Sequence, residues 1–340
     1  MTPVRQQVTQ GSPLLGDFAL MTVRQSDVPL PALLLGGQLW DLRGAAAAAA
    51  VDLVPDTPRF GVLDLLADWT RTFDHLCALT GRITGSGLDT DRYPLVADGC
   101  AILPPIPRPS KMLHAAQNYP DHVQEMRAAR TYGFNDTPID QARDFTGRRE
   151  GARPYLFLKA PSCLAGPYDD IPIPPEVTQL DWEVELAVAI GRRARRVTAE
   201  NALDHVAGFM TTNDFSARNL LIRPDRERLR SDWFGGKSHD GFAPMGPVFV
   251  PAAFVPDHLD LGLRLTVNGE IKQNGSTGNL IFSPAEQIEY ASRMTTLEPG
   301  DIIATGTPGG VGQGTDSFLT SGDVVEAEVE GLGQLRNRVV

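Results

Sequence analysis

The stretch Asp181-Trp182-Glu183-Val184-Glu185-Leu186-Ala187-Val188-Ala189-Ile190 decides how the rest of the chain is read. Side chains of a strand point alternately to its two faces, so Glu183 and Glu185 fall on one face and Val184 and Leu186 on the other. Neighbouring carboxylates repel unless water, a proton or a cation lies between them. A hard divalent ion is the natural partner where such a face is enclosed. A Glu-x-Glu strand alone is more often a solvated face, so the pair becomes a candidate site only through its surroundings.

Working outward, similar alternation recurs in LRLTVNGEIKQ, Leu263 to Gln273, and DVVEAEVEG, Asp323 to Gly331, with turn signals between. The pattern predicts a sheet-rich domain with helices secondary, for example near Ala199 to Val206 and Pro284 to Met294. The 33 Gly and 27 Pro favour turns and short strands over long helices. Four prolines in ILPPIPRPSK, Ile102 to Lys111, can neither donate to a sheet nor continue a helix, which predicts a linker. The expected division is a smaller N-terminal domain, 1–103, and a catalytic domain, 104–340. Within the first, LPALLLGGQLWDL reads as a hairpin through Gly36-Gly37, and the run Ala45 to Ala50 as a packed helix. Met126 to Arg153 has little apolar periodicity and reads as a surface excursion, either a lid whose arginines meet a substrate carboxylate or a solvated insertion.

The balance of 31 basic and 42 acidic residues gives a formal charge of -11, which disfavours nucleic acid and anionic membranes as partners. It also repels a free carboxylate substrate, which would need a local cation or metal to hold it. Cys77, Cys100 and Cys163 are odd in number and lack CxxC spacing, so reduced thiols are expected rather than a disulfide framework or zinc ribbon. The first residues lack the apolar core of a signal peptide and no later run reaches membrane-spanning length; a cytoplasmic protein is the expectation.

A third carboxylate, Asp214, follows the apolar HVAGFMTT stretch where a strand is expected to end. Three oxygen ligands with no Cys or HxxxH pair nearby suit Mg²⁺ or Mn²⁺ better than zinc, and leave coordination positions for a chelating 2-oxo acid. Upstream, His122 and Glu125 share a helix face if Tyr119 to Glu125 is helical, and could act as an acid-base dyad; such a spacing alone is more often a surface pair. Gly235-Gly236-Lys237 and Thr305 to Gly310 read as turns where backbone can approach a ligand, with Lys237 placed to neutralise a developing enolate. No phosphate-binding GxxxxGK[ST], GxSxG elbow or HExxH is present.

Taken in order, NYPDHVQE, FLKAPSCLAGP, DWEVELAVAIG, GFMTTNDFSAR, GKSHDGFAPMGP, LTVNGEIKQ, LEPGDIIATGTPGGVG and GDVVEAEVEGLGQLRN resemble the fumarylacetoacetate hydrolase family over roughly Leu113 to Val340. The resemblance implies an α+β, predominantly β architecture, the family's mixed β-roll with a smaller N-terminal domain, paired into homodimers. It implies Glu183, Glu185 and Asp214 as metal ligands and His122 and Glu125 as the dyad of some members. Tyr119, Arg218 and Thr307 fall at substrate-contacting positions, and Lys237 beside them. Leu221 stands where many members carry Gln, and His239 and Gly241 where bulkier Phe and Thr are usual, which implies a substrate preference of its own.

The leading expectation is Mg²⁺-dependent hydrolysis of a carbon-carbon bond in a small acylpyruvate-like β-diketo acid, within the breakdown of aromatic or related compounds. The dyad would activate water and Lys237 would steady the enolate that leaves. Isomerase, decarboxylase or hydratase action on an unsaturated 2-oxo diacid would use the same chemistry. A metal- or ligand-binding protein without turnover is the rival from another class.

Overall fold

The strand Val184–Ile190 lies inside the main sheet of the computed structural model, which describes residues 11–25, 28–53, 60–97, 99–129, 151–226 and 231–340. It pairs antiparallel with Val206–Asn213 on one side and Ile302–Ala304 on the other, and all seven of its residues are buried. The sheet continues from Val206–Asn213 through Ala243–Pro251 to Phe18–Gln25, Val28–Leu35 and Gln38–Asp41. In the other direction Ile302–Ala304 leads to Met112–Ala115, in parallel, and to the edge strand Leu156–Lys159.

Alternation along Val184–Ile190 divides its side chains between two apolar cores. Val184, Leu186, Val188 and Ile190 join one core with Leu263, Leu265, Val325 and Val329 of a second, four-stranded antiparallel sheet. That sheet runs Glu270–Ser276, Gly262–Val267, Val324–Val329, Gln334–Arg338. Ala187 and Ala189, on the face shared with Glu185, join the other core with Phe18, Leu20, Trp40, Leu76 and Phe249. A strand covered on both faces carries a nearly continuous apolar run, interrupted only where the carboxylates stand.

The architecture is α+β with strands predominating, as expected. The Gly36-Gly37 hairpin is present: Leu35 pairs with Gln38, and both glycines have positive φ, +58° and +68°, as a two-residue turn between twisted strands requires. The alanine run forms Leu42–Ala49, capped by Asp41, whose side chain accepts from Arg43 N. Pro284–Met294 is a helix with a Ser283/Glu286 capping box. The composition argument against long helices fails at Trp69–Gly85, 17 residues with no proline inside.

Residues before and after the proline run share structure. Leu20 pairs with Phe249, and Trp69 meets Phe249 edge-on with ring centroids 5.3 Å apart. Ile102 and Leu103 extend a short strand, Ala101–Leu103, against Phe18–Gln25, and Thr22 Oγ1 donates to Pro105 O at 2.7 Å. The expected excursion from Met126 begins inside a helix: Met126 is fully buried in Pro120–Ala128, while residues 130–150, the bulk of the expected lid, lie outside the described residues.

Phe249 ties the first strand and the helix Trp69–Gly85 to the main sheet. Phe249→Ala is expected to lower unfolding free energy by about 3–5 kcal/mol. Urea unfolding checks this, and a loss under about 1 kcal/mol would contradict the packing described.

Candidate metal centre

Register brings the three carboxylates together. Glu185 lies opposite Thr212 and Val184 opposite Asn213, so Asp214, one residue past the strand end, comes level with Glu183. Two hydrogen bonds fix this corner: Asp214 N donates to Glu183 O at 2.8 Å, and Glu183 N donates to Asn213 Oδ1 at 2.8 Å. Ligand oxygens of Glu183, Glu185 and Asp214 then lie within 4.8 Å of one another, all three side chains buried.

Cations surround two of the three. Lys237 Nζ is 2.7 Å from Glu183 Oε2 and 2.8 Å from Asp214 Oδ2. Arg218 joins Glu183 Oε1 through Nη2 at 2.6 Å and Asp181 Oδ2 through Nε at 2.7 Å. Lys159 Nζ bonds Asp214 Oδ1, and also Phe215 O at 3.0 Å and Phe242 O at 2.6 Å. His114 Nδ1 stands 3.2 Å from Asp214 Oδ2.

Burial opposes the charge on Asp214, but Lys159, Lys237 and His114 outweigh it and hold its carboxyl well below the usual range. Burial likewise works against Glu183, where Lys237 and Arg218 prevail and its carboxyl is lowered. Burial would also lower Lys237, yet Asp214 and Glu183 reverse this and raise it.

Glu185 is different. Its Oε2 accepts from Gly306 N at 2.9 Å, while Oε1 is buried with no hydrogen-bond partner among the described residues. Burial, then Asp214 and Glu183, push its carboxyl well above the usual range. Four buried carboxylates, Asp181, Glu183, Glu185 and Asp214, thus face three buried cations, Lys159, Arg218 and Lys237. An orphaned carboxyl oxygen in an oxygen-rich pocket with more carboxyl groups than cations, one of them kept protonated in the absence of a further cation, fits a hard divalent cation.

His122 and Glu125 do lie on a helix, Pro120–Ala128, with Nδ1 and Oε2 3.5 Å apart. Glu125 also accepts from Gly310 N at 3.1 Å and Val311 N at 3.4 Å, and Asp121 from Gly309 N at 3.0 Å, so the loop after Thr305 grips this helix. Gly306 makes the close approach possible: its φ is +103°, and a Cβ there would sit 2.7 Å from Asn118 Cβ.

His122, Glu183, Arg218, Lys237 and Thr307 line one cleft together with Met126, Phe157 and Trp233. Thr307 Oγ1 donates to Val184 O at 2.9 Å and accepts from Gln273 Nε2 at 2.8 Å, so its hydroxyl braces the strand that carries the glutamates. Tyr119 is fully buried and is not part of the cleft lining; its hydroxyl has no partner among the described residues. Lys237, expected on a turn, instead ends a short helix, Trp233–Lys237, whose cap Asp232 accepts from Gly235 N at 2.8 Å. Buried Leu221 packs where a Cβ on Gly236 would fall 2.2 Å away, which is why that turn can coil so tightly.

Sequence reasoning missed His114, Lys159 and Asp181 as parts of the centre. For Lys159 a signal existed: alternation places it beside Phe157 on the inward face of Leu156–Lys159, while Leu158 points out and is 59% exposed. Asp181 shares the period-two face of the glutamates and accepts from Gly312 N and Gln313 N besides Arg218. His114 carries no comparable local signal.

Residues 111–340 match the model of the fumarylacetoacetate (FAA) hydrolase C-terminal domain. The chain belongs to the fumarylacetoacetate hydrolase family. Among its relatives, the mitochondrial oxaloacetate tautomerase fahd2 of Xenopus laevis is 35% identical over 257 residues, 75% of this chain and 73% of that protein. The solved fumarylacetoacetate hydrolase of Exiguobacterium antarcticum superposes with a TM-score of 0.69 at 32% identity, covering 95% and 99% of the two chains. The fumarylpyruvate hydrolase of Pseudomonas aeruginosa, solved with Mn²⁺ and pyruvate, gives 0.56 at 28% identity over 68% and 89%. No helix among the described residues is long and apolar enough to cross a membrane.

The raised carboxyl of Glu185 has a measurable consequence. Between the ordinary carboxylate value and its raised one, folded Glu185 holds a proton that the unfolded chain lacks, so its contribution to stability falls as pH rises through that window. Glu183 and Asp214, held low, contribute the other way and lose their share as pH falls. A divalent cation should therefore displace a proton from Glu185 within that window, seen by calorimetry in buffers of different ionisation enthalpy. Glu185→Gln should abolish that release and weaken Mg²⁺ binding by more than the roughly 10–100-fold that loss of an outer-shell partner costs. Unchanged affinity would overturn the ligand assignment.

Proposed function

We propose that the protein is a divalent-metal-dependent enzyme that moves a proton at the carbon beside the 2-oxo group of a small 2-oxo acid, interconverting its keto and enol forms. The carrying observation is the orphaned, charge-deficient Glu185 among Glu183, Asp214 and Lys237, beside a cleft that His122 also lines. Mg²⁺ or Mn²⁺, held by Glu183, Glu185 and Asp214, would supply Lewis acidity toward the carboxylate and keto oxygens of the substrate. His122 would take the proton from carbon and return it to the other site, Lys237 and Arg218 would hold the carboxylates that keep the site in shape, and Lys237 would also balance the enolate's charge.

Carbon-carbon hydrolysis of an acylpyruvate-like acid is the second reading, favoured by the contact between His122 and Glu125. It ranks lower because Glu125 is engaged by the backbone N–H groups of Gly310 and Val311, which draws its charge away from the imidazole that would have to activate water. The tautomerase relative points the same way.

We further propose that Tyr119 acts from beneath the site rather than touching substrate, that residues 1–103 form a smaller domain completing the shell of 104–340, and that two copies pair as in the family. A reduced, cytoplasmic protein accords with three free cysteines, and the mitochondrial address belongs to the relative.

Turnover of oxaloacetate, an acylpyruvate and an unsaturated 2-oxo diacid, with Mg²⁺ and with EDTA and with product masses determined, decides between the readings. Metal-dependent interconversion of keto and enol forms, followed by the enol's ultraviolet absorbance and with mass unchanged, is expected, and His122→Asn should slow it by about 10²–10⁴-fold. Gain of water with chain cleavage would replace the first reading with the second, and full turnover by His122→Asn would remove that residue from the mechanism.

A further inference from the structure

The cleft wall carries a feature the metal chemistry does not use. Phe157, buried, lies with its ring centroid 5.4 Å from Lys237 Nζ. Trp233, half-buried, stacks on Phe157 at 4.7 Å with the planes 30° apart. Tyr155, 55% exposed, follows at 5.5 Å from Trp233. Three rings therefore run in sequence from the ammonium at the metal centre outward to solvent, and Phe157 and Trp233 both line the cleft.

The strip is assembled from two elements that also place the chemistry. Phe157 and Lys159 share the inward face of Leu156–Lys159, while Trp233 begins the short helix that ends at Lys237. Phe157 stands two residues before Lys159 on the strand and Trp233 four residues before Lys237 on the helix, so the same backbone carries the rings and the cations.

Charge along the cleft points in one direction. Its charged lining residues are His122, Glu183, Arg218 and Lys237. Arg218 and Lys237 already pair with carboxylates at 2.6–2.8 Å, so a second carboxylate at the far end of a ligand would meet no uncommitted strong cation among the described residues that line the cleft. A planar apolar group there would instead stack on the rings.

We propose, resting on the 2-oxo acid reading above, that this site selects substrates whose far end is a planar aryl or conjugated apolar group, and that Phe157, Trp233 and Tyr155 form the subsite for it. Aromatic contacts add to affinity beyond area burial, so the preference over an aliphatic counterpart should be roughly tenfold.

Two 2-oxo acids without a hydrogen on the adjacent carbon, benzoylformate and 3,3-dimethyl-2-oxobutanoate, present the same chelating end and cannot be enolised, which separates binding from turnover. Calorimetric titration of the full chain with Mg²⁺ should give benzoylformate the tighter binding by about tenfold, and Trp233→Ala and Tyr155→Ala should each shift that ratio toward one. Tyr155 is exposed, so its variant keeps the test alive if the Trp233 variant fails to fold. Equal affinities in the unaltered protein, or a ratio untouched by either substitution, would overturn the aromatic subsite while leaving the metal reading intact. Failure of both probes to bind in the presence of Mg²⁺ would overturn the chelation reading and the subsite with it. In turnover, phenylpyruvate should exceed oxaloacetate in kcat/KM; the reverse order would contradict the proposal.

Discussion

The structure turns on a buried charge imbalance: Asp181, Glu183, Glu185 and Asp214 held against Lys159, Arg218 and Lys237. Charges removed from water are tolerated only when paired and hydrogen-bonded, and among the described residues all but one of these carboxylates are bonded to a cation. Much of the surrounding fold supplies those partners. The strand Leu156–Lys159 delivers Lys159, the helix after Asp232 delivers Lys237, and the end of Val206–Asn213 delivers Asp214 level with Glu183. Among the described residues Glu185 alone of the four has no cation bonded to it, and its unpartnered buried Oε1 marks where a further cation would bind.

Rigidity around that centre comes from a hydrogen-bond network through Gln273 and the loop after Thr305. Gln273, buried on the second sheet, donates to Thr307 and Pro308 O and accepts from Val184 N, coupling the glutamate strand to the loop after Thr305. The same loop holds Glu125 and Asp121 by its backbone N–H groups and so fixes the helix that carries His122. The carboxylate cluster and His122 are therefore positioned by one glycine-rich segment, and a shift in it would move both together.

Much of this was legible in the sequence because period-two alternation carries geometry directly. That pattern alone puts Glu183 and Glu185 on one face and Asp214 at a strand end. The Gly36-Gly37 turn followed from the need for positive φ, and Pro284–Met294 from its capping box and proline start. What the sequence did not give up was long-range: His114 reaches Asp214 only because Met112–Ala115 runs parallel to Ile302–Ala304, a neighbour almost 200 residues away. The tie between residues before the proline run and the main sheet, through Leu20 and Phe249, is equally nonlocal. Local pattern told which face a side chain takes; only topology told which faces meet.

Family membership places the chain among proteins named as tautomerases and hydrolases, and the carboxylate cluster with its cleft is compatible with both chemistries. The central claim is the location of the cation, and anomalous diffraction from crystals grown with Mn²⁺ tests it most directly. The account predicts a single peak at about 2.0–2.3 Å from one oxygen each of Glu183, Glu185 and Asp214, with Glu185 Oε1 among them. A Mn²⁺ peak elsewhere, or none at saturating metal, with Lys237 alone filling the carboxylate cluster, would contradict it.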